Sequence, residues 1–277
     1  MFPIYFNIYI MEINSKKYIN EGFNSKAYII NDKYILLEGV NKNSYNNYIK
    51  YMNNIKHLNS IKSLKIPKIT KLIVPNNEYP YGALVYEMIK GRGFIEKDIK
   101  VVNLDSIAKK LAEFMNEIYD IKINFDKKSY IDNEMTKMEQ SILALKDYLN
   151  DNDYEKIIEW SKEYRNYLLN FDDFHFVHGD LWYENYILNE HNEIIGIVDF
   201  ENAGIGDPAN DIVPLNYLGQ DFINKFLYYY KYKNNELINR IPILIKAREI
   251  CNFNNVINNY PEEISDQTDK IKNVIKS

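Results

Sequence analysis

Apolar and polar positions alternate with a short period over the first third of the chain and a longer one over the rest. Residues 17–22, 27–30 and 33–37 are short runs rich in β-branched and aromatic side chains. Gly-Phe-Asn-Ser and Asn-Asp turn signals separate them, the pattern of strands joined by tight turns. Over 44–58 the spacing changes. Tyr45, Tyr48, Ile49, Met52 and Ile55 recur at three and four residues, which predicts a helix. Residues 69–74 and 81–89 predict two further strands around Pro75-Asn76-Asn77, and Gly91-Arg92-Gly93 reads as a hinge.

Beyond the hinge the period is helical. Leu104, Ile107, Leu111, Phe114 and Ile118 share one face. Met135, Met138, Ile142, Leu145 and Leu149 share a second, and Ile157, Trp160, Tyr164 and Leu168 a third. These Met and aromatic stripes read as core rather than as cofactor contacts. Over 174–200 the pattern returns to short strands around a polar loop, and two or three more helices fill the chain from Gln220. The expectation is an α+β chain in two lobes, with a small antiparallel sheet over 1–89 and a larger, mainly helical lobe over 90–277. The apolar start MFPIYFNIYI lacks the basic residues and small-residue cleavage site of a signal peptide. It reads either as an extra edge strand or as residues ahead of a true start at Met11.

Composition narrows the function. At 277 residues, with 46% hydrophobic and 26% charged residues, the chain is globular and long enough for one large or two smaller domains. Lys and Arg total 34 against 39 Asp and Glu, a net charge of −5 without a basic block, which argues against a nucleic-acid partner. No apolar run reaches the roughly 18 residues that a membrane helix needs. The single cysteine, Cys251, excludes an intramolecular disulfide and a four-cysteine zinc site, and fits a reducing, cytoplasmic compartment. The 38 Asn and 25 Tyr follow from AT-rich codons, so the tyrosines carry little weight as a ligand signal. Oligomeric state is left open.

The chemistry lies in FVHGDLWYENYILNEHNEIIGIVDFENAGIGDPANDI, residues 176–212. A short strand leads into the turn His178-Gly179-Asp180, and Asn185 follows five residues later. A hairpin then returns along an apolar strand that ends in Asp199. Such a support would hold Asp180, Asn185 and Asp199 at one end. Mg²⁺ is a hard ion that takes oxygen ligands, so Asp199 and the amide oxygen of Asn185 suit it. A second carboxylate, Asp180, would orient an attacking hydroxyl and accept its proton. Phosphoryl transfer asks for little beyond positioning and charge neutralisation.

His178-Gly179-Asp180 with Asn185, then Ile197-Val198-Asp199-Phe200, then Gly206-Asp207-Pro208-Ala209-Asn210-Asp211 resembles the signature of the aminoglycoside phosphotransferases. The stretch is similar also to related small-molecule kinases, including choline kinases, all with the protein-kinase-like fold. The resemblance implies Asp180 as catalytic base, Asn185 and Asp199 as Mg²⁺ ligands, and ATP or GTP as co-substrate. It implies a structural His178, and an Asp211 that braces the catalytic loop through backbone N–H groups. Asp207-Pro208 reads equally as a helix start. Gly22, Asn24 and Ser25 fall in the loop expected over the phosphates, and Glu87, Met88 and Ile89 in the segment expected to meet the nucleotide base through backbone groups.

One departure stands out. The family places a Lys on the third strand, paired to a Glu on the next helix, to hold the α- and β-phosphates. Here those positions fall at Leu37 and Tyr48. Three accounts compete: a slipped register with Lys33 or Lys42 near the phosphates, a substitute such as Lys26 or Lys50, or weak nucleotide binding. The leading acceptor is a polycationic aminoglycoside, an antibiotic-resistance activity, with acidic candidates in Asp221, Glu236, Glu249, Glu262 and Glu263. A choline-type acceptor would want an aromatic cage, for which Trp182 and Tyr183 are placed, and a sugar kinase is a further alternative. The competing classes are a kinase-like nucleotide-binding module without turnover and a metal phosphohydrolase using Asp180 and Asp199.

Overall fold

The computed structural model describes residues 12–22 and 24–276; the edge strand expected over 1–10 lies outside them. Strands β1 (Lys16–Glu21), β2 (Ser25–Ile30), β3 (Tyr34–Gly39), β4 (Lys68–Ile73) and β5 (Ala83–Glu87) form one antiparallel sheet in the order β1-β2-β3-β5-β4. Helix α1 (Ser44–Lys56) connects β3 to β4. Asn31 and Asp32, in the β2–β3 turn, take left-handed backbone angles that these two residue types tolerate well. The alternation in β3 separates the two faces of the sheet. Leu36 packs with Ile30, Tyr79, Ala83 and Val85 on the outer face. Leu37 turns inward, paired between Ala27 of β2 and Leu84 of β5. A slip of one residue would exchange the two faces.

After β5 the chain crosses into the helical lobe. Strand β6 (Arg92–Gly93) pairs with β8 (Tyr186–Leu188), and β8 with β9 (Ile194–Ile197). Strand β7 (His175–Val177) pairs with β10 (Gly204–Gly206), a strand that periodicity does not predict. The helices are α2 (Leu104–Tyr119), α3 (Lys127–Leu145), α4 (Asp151–Asn170), α5 (Gln220–Tyr229), α6 (Asn235–Asn259) and α7 (Ile264–Val274). Asn103, Asn150 and Asn234 each cap a helix by accepting a backbone N–H from its first turn. The predicted stripes of the helical lobe are buried except at Leu104 and Trp160, which are half-buried, and at Leu149, which lies beyond the end of α3; in α1 only Tyr48 of the predicted stripe is fully buried. One core runs through both lobes, joining Tyr48, Tyr51 and Leu84 to Phe94, Phe114 and Phe200. The cleft opens along the edge of this shared core.

Candidate active site

Buried hydrogen bonds fix the turn after β7. The Asp211 carboxylate accepts the backbone N–H groups of His178 and Gly179 at 2.7 and 2.8 Å, the bracing expected for it. The His178 ring is fully buried, which lowers its pKa to about 4 and keeps it neutral. Its Nε2–H donates to the Val198 carbonyl at 3.1 Å, and its Nδ1 accepts the Asp180 N–H at 3.3 Å. His178 therefore ties the turn to the strand that delivers Asp199. Gly179 has φ of +78°, and a Cβ there would lie 2.3 Å from the Asn202 carbonyl oxygen, so only glycine fits.

The hairpin supplies the remaining groups. Asn185 donates its amide N–H to the Asp180 carbonyl at 2.9 Å, which leaves Oδ1 as its unspent acceptor. Asp199 follows β9 with a left-handed φ of +66°. Burial, then the charge of Asp180, pushes its carboxyl up to about 6. Glu201 is pushed up to about 7 by burial and then by Asp199, and it accepts a hydrogen bond from the Asn24 side chain. That bond joins the β1–β2 loop to the helical lobe.

These residues surround a cleft of about 610 Å³. Gly22, Asn24, Ser25, Asn185 and Asp199 all line it, and Asp180 adjoins it through Asn185. Glu87, Met88 and Ile89 do not line it. They continue from Tyr86, which does. The Met88 N–H is spent on the Lys33 carbonyl at 2.9 Å and so is not available to a base. The Glu87 carboxylate lies at the surface, 4.0 Å from Lys68.

Leu37 and Tyr48, the residues expected at the Lys and Glu positions, both line the cleft. The Ser44 hydroxyl donates to the Asn24 carbonyl at 2.7 Å, and the Tyr48 hydroxyl lies 3.5 Å from the same oxygen, so α1 pins the loop rather than gripping a lysine. Among the described residues no Lys or Arg lines the cleft. Lys33 lies over the Tyr34 ring, Lys26 pairs with Glu21, and Lys42 is exposed. Lys50 stands outside the lining, its pKa lowered by burial while Glu201 acts the other way.

Sequence reasoning missed Arg248. From α6, its Nη2 donates to Asp180 Oδ1 at 3.0 Å. The flank beside it is aromatic: Trp182 packs edge-on against Tyr217 with ring centroids 4.2 Å apart, and against Tyr183 at 5.0 Å. The five acidic candidates are not gathered here. Asp221 pairs with Lys225, Glu236 lines a separate surface pocket with Arg240, and Glu262 and Glu263 are exposed. Glu249 alone stands near Tyr217, its carboxylate bonded to Gln267 at 2.9 Å. Behind the site, Asp207 caps the turn before Asp211 by accepting the Ala209 N–H, and receives a bidentate pair from Arg240 at 2.8 and 3.1 Å.

The two lobes and the cleft between them define a kinase-like phosphotransferase. The chain belongs to the phosphotransferase enzyme family, whose family model matches residues 18–233. Among solved structures it is similar to the GDP complex of wild-type aminoglycoside 2'-phosphotransferase-IIIa, with a TM-score of 0.78 and 17% identity over 96% of this chain and 94% of that one. The streptomycin-ATP-APH(2")-IIa ternary complex aligns with a TM-score of 0.73 and 20% identity, over 96% and 93%. Macrolide 2'-phosphotransferase type I aligns at 0.65 and 14%, over 94% and 92%.

Proposed function

We propose that this protein transfers the γ-phosphoryl group of ATP or GTP to a hydroxyl of a small molecule, with Asp180 as the base. The observation that carries the reading is the convergence of Asp180, Asn185 and Asp199 at the end of one hairpin. Asn185 and Asp199 line the cleft beside the β1–β2 loop, and Asp180 adjoins it through Asn185.

The donor set suits Mg²⁺. Asp199 offers a carboxylate and Asn185 an unspent amide oxygen, a small set of hard oxygens to which nucleotide phosphates and water add the rest. Bound there, the ion would neutralise charge on the transferring group. Asp180 has one carboxylate oxygen on Arg248 and a side chain that is 30% exposed, which would let an acceptor hydroxyl approach it. It would orient the hydroxyl for in-line attack and take its proton as the oxygen–phosphorus bond forms and the nucleoside diphosphate leaves. The loop of Gly22, Asn24 and Ser25 would cover the phosphates. The backbone of Glu87 and Ile89 would meet the base.

Two acceptor readings differ in charge. A cationic aminoglycoside-type acceptor, processed in the cytoplasm as a resistance activity, is supported by the family and by the streptomycin in the related ternary complex. An acceptor uncharged around its reacting hydroxyl, as in a sugar kinase, is favoured by Arg248. Its guanidinium stands at the base, where an ammonium would meet like charge. The same cation weighs against a choline-type acceptor despite the aromatic flank. A thermal-shift screen of aminoglycosides, choline and neutral sugars, with and without Mg²⁺-nucleotide, tests both. A true acceptor stabilises the protein in step with its concentration over its dissociation constant. A chain that neither Mg²⁺-ATP nor Mg²⁺-GTP stabilises would overturn the kinase reading.

A further inference from the structure

The segment between α1 and β4 forms one wall of a second concavity. Two adjoining hollows, of about 670 and 280 Å³, share Leu58, Asn59, Ile66 and Lys68 and so make one groove. None of its lining residues lines the cleft. The helical lobe supplies the facing wall, through Ser106 and Lys110 of α2 and Ile194 and Ile195 of β9. Hydrogen bonds hold the walls together. The Lys62 and Ser63 N–H groups donate to the Glu117 carboxylate of α2 at 3.0 Å each, and the Lys65 N–H donates to the Ile195 carbonyl at 2.9 Å. The groove is therefore shaped before a partner arrives, which lowers the ordering cost of binding.

Its chemistry is of two kinds. Leu58, Leu64, Ile66 and Ile194 make an apolar floor. Lys62, Lys65, Lys68 and Lys110 make a cationic rim, which Lys56 extends along the smaller hollow. Existing partners commit these ammonium groups only in part. Lys110 pairs with Glu113 at 3.0 Å, and Lys56 donates to Asn53 at 3.1 Å. Lys68 stands 4.0 Å from Glu87 with its side chain 80% exposed, a contact of little strength. Lys62 feels the charge of Glu117, a carboxylate already bonded to the Ser63 hydroxyl at 2.7 Å. Glu193 is the acidic residue of the lining, and its carboxylate accepts a hydrogen bond from Asn189.

The same bias extends along the sequence. Residues 39–77 carry seven lysines, spaced singly, and all 39 Asp and Glu of the chain lie outside that stretch. AT-rich codons explain the lysines but not the missing acids. Like charges repel, so stability alone would favour mixed signs here.

We propose that this groove is a docking site for an acidic segment of a partner protein, which seats apolar side chains on the floor and its carboxylates against the lysine rim. The concave floor sets the site apart from a plain cationic patch. A bilayer surface or a nucleic-acid backbone would meet the rim and leave the floor empty.

The test selects a displayed library of random peptides against the full chain, with counter-selection against the triple variant Lys62→Glu, Lys65→Glu, Lys68→Glu. All three side chains are exposed, so the variant should melt as wild type does. Selected peptides should combine Asp or Glu with Leu, Ile, Val or Phe. Resynthesised and titrated by fluorescence anisotropy, they should bind the variant at least about tenfold more weakly, and binding to wild type should weaken with added salt. Replacing their apolar residues by serine should cost about tenfold as well. If no peptide distinguishes wild type from the variant, or if the selected peptides lack acids, the assignment is overturned. Indifference to the serine replacement overturns it too, because charge alone would then explain binding. Phosphatidylserine vesicles or a single-stranded oligonucleotide held through the same lysines more tightly than any selected peptide would overturn the choice of partner. Should the triple variant melt lower, Lys68→Glu alone is titrated, and a loss below about twofold overturns the site.

Discussion

Burial decides the charge state of the side chains around Asp180. His178 is neutral because its pKa is lowered to about 4 by burial. Above pH 6.5 both the folded and unfolded chains hold a neutral imidazole. As the pH falls from 6.5 toward 4, the unfolded chain takes up a proton that the folded chain refuses, so this group removes stability on the acid side, about 3 kcal/mol across the window. Asp199, Glu201 and Asp211, all raised by burial, act in the opposite sense. The comparison is therefore wild type against His178→Asn. Urea midpoints should show a stability gap that is widest near neutral pH and closes toward pH 4.5; a gap independent of pH would contradict the assignment. For the reaction itself, Asp180→Asn should leave the melting temperature nearly unchanged and lower turnover about 10²–10⁴-fold. Arg248→Ala should shift acceptor preference toward cations, read as the ratio of kcat/KM for a charged and a neutral acceptor. An unchanged ratio would show that Arg248 does not select by charge.

His178, Asp180, Asn185 and Asp199 could be read together because one turn and one hairpin carry them, and Asp211 because the Asp207-Pro208 start marks the short turn that it ends. Arg248 could not. Its partner lies 68 residues earlier, and on α6 it reads as one more polar position of an amphipathic helix.

At the scale of elements, the five-stranded sheet and α1 follow from alternation and spacing nearly to the residue. The inward face of β3 was not legible from alternation, because leucines stand at both positions 36 and 37; the structure puts Leu36 in the outer cluster and Leu37 in the cleft. Nor was the β7–β10 pair, because Gly204–Gly206 is three residues long with two glycines and carries no alternation. The α6 brace also required the tertiary structure. Arg240 stands 11% exposed on Asp207, itself 2% exposed. Arg240→Ala would leave a buried carboxylate unpaired, and a loss of about 3–5 kcal/mol is expected in denaturant unfolding. A loss below 1 kcal/mol would show that water reaches Asp207. On the opposite wall, Leu37→Lys should place an ammonium against Asp199 and Glu201. Mg²⁺-nucleotide binding should tighten about tenfold and depend less on the metal. Weaker binding would mean that the new side chain turns away from the phosphates.

Over the whole molecule, the two lobes are held by one core and bridged at the cleft by Asn24 and Glu201. Composition fixed the broad class: a mildly acidic globular chain without basic blocks. Among the described residues no helix is long and apolar enough to cross a membrane. The acceptor was beyond its reach: composition does not show which distant side chains meet Asp180, as Arg248 from α6 does. The central claim is phosphoryl transfer through Asp180, and the most direct measurement follows the γ-phosphoryl group. Wild type and Asp180→Asn are incubated with γ-labelled ATP or GTP, Mg²⁺ and the acceptor that stabilises the protein, or with water alone as acceptor. The account predicts Mg²⁺-dependent transfer of the label by wild type and loss of nearly all of it in the variant. Nucleotide that binds wild type and is never turned over, or a variant as active as wild type, would contradict it.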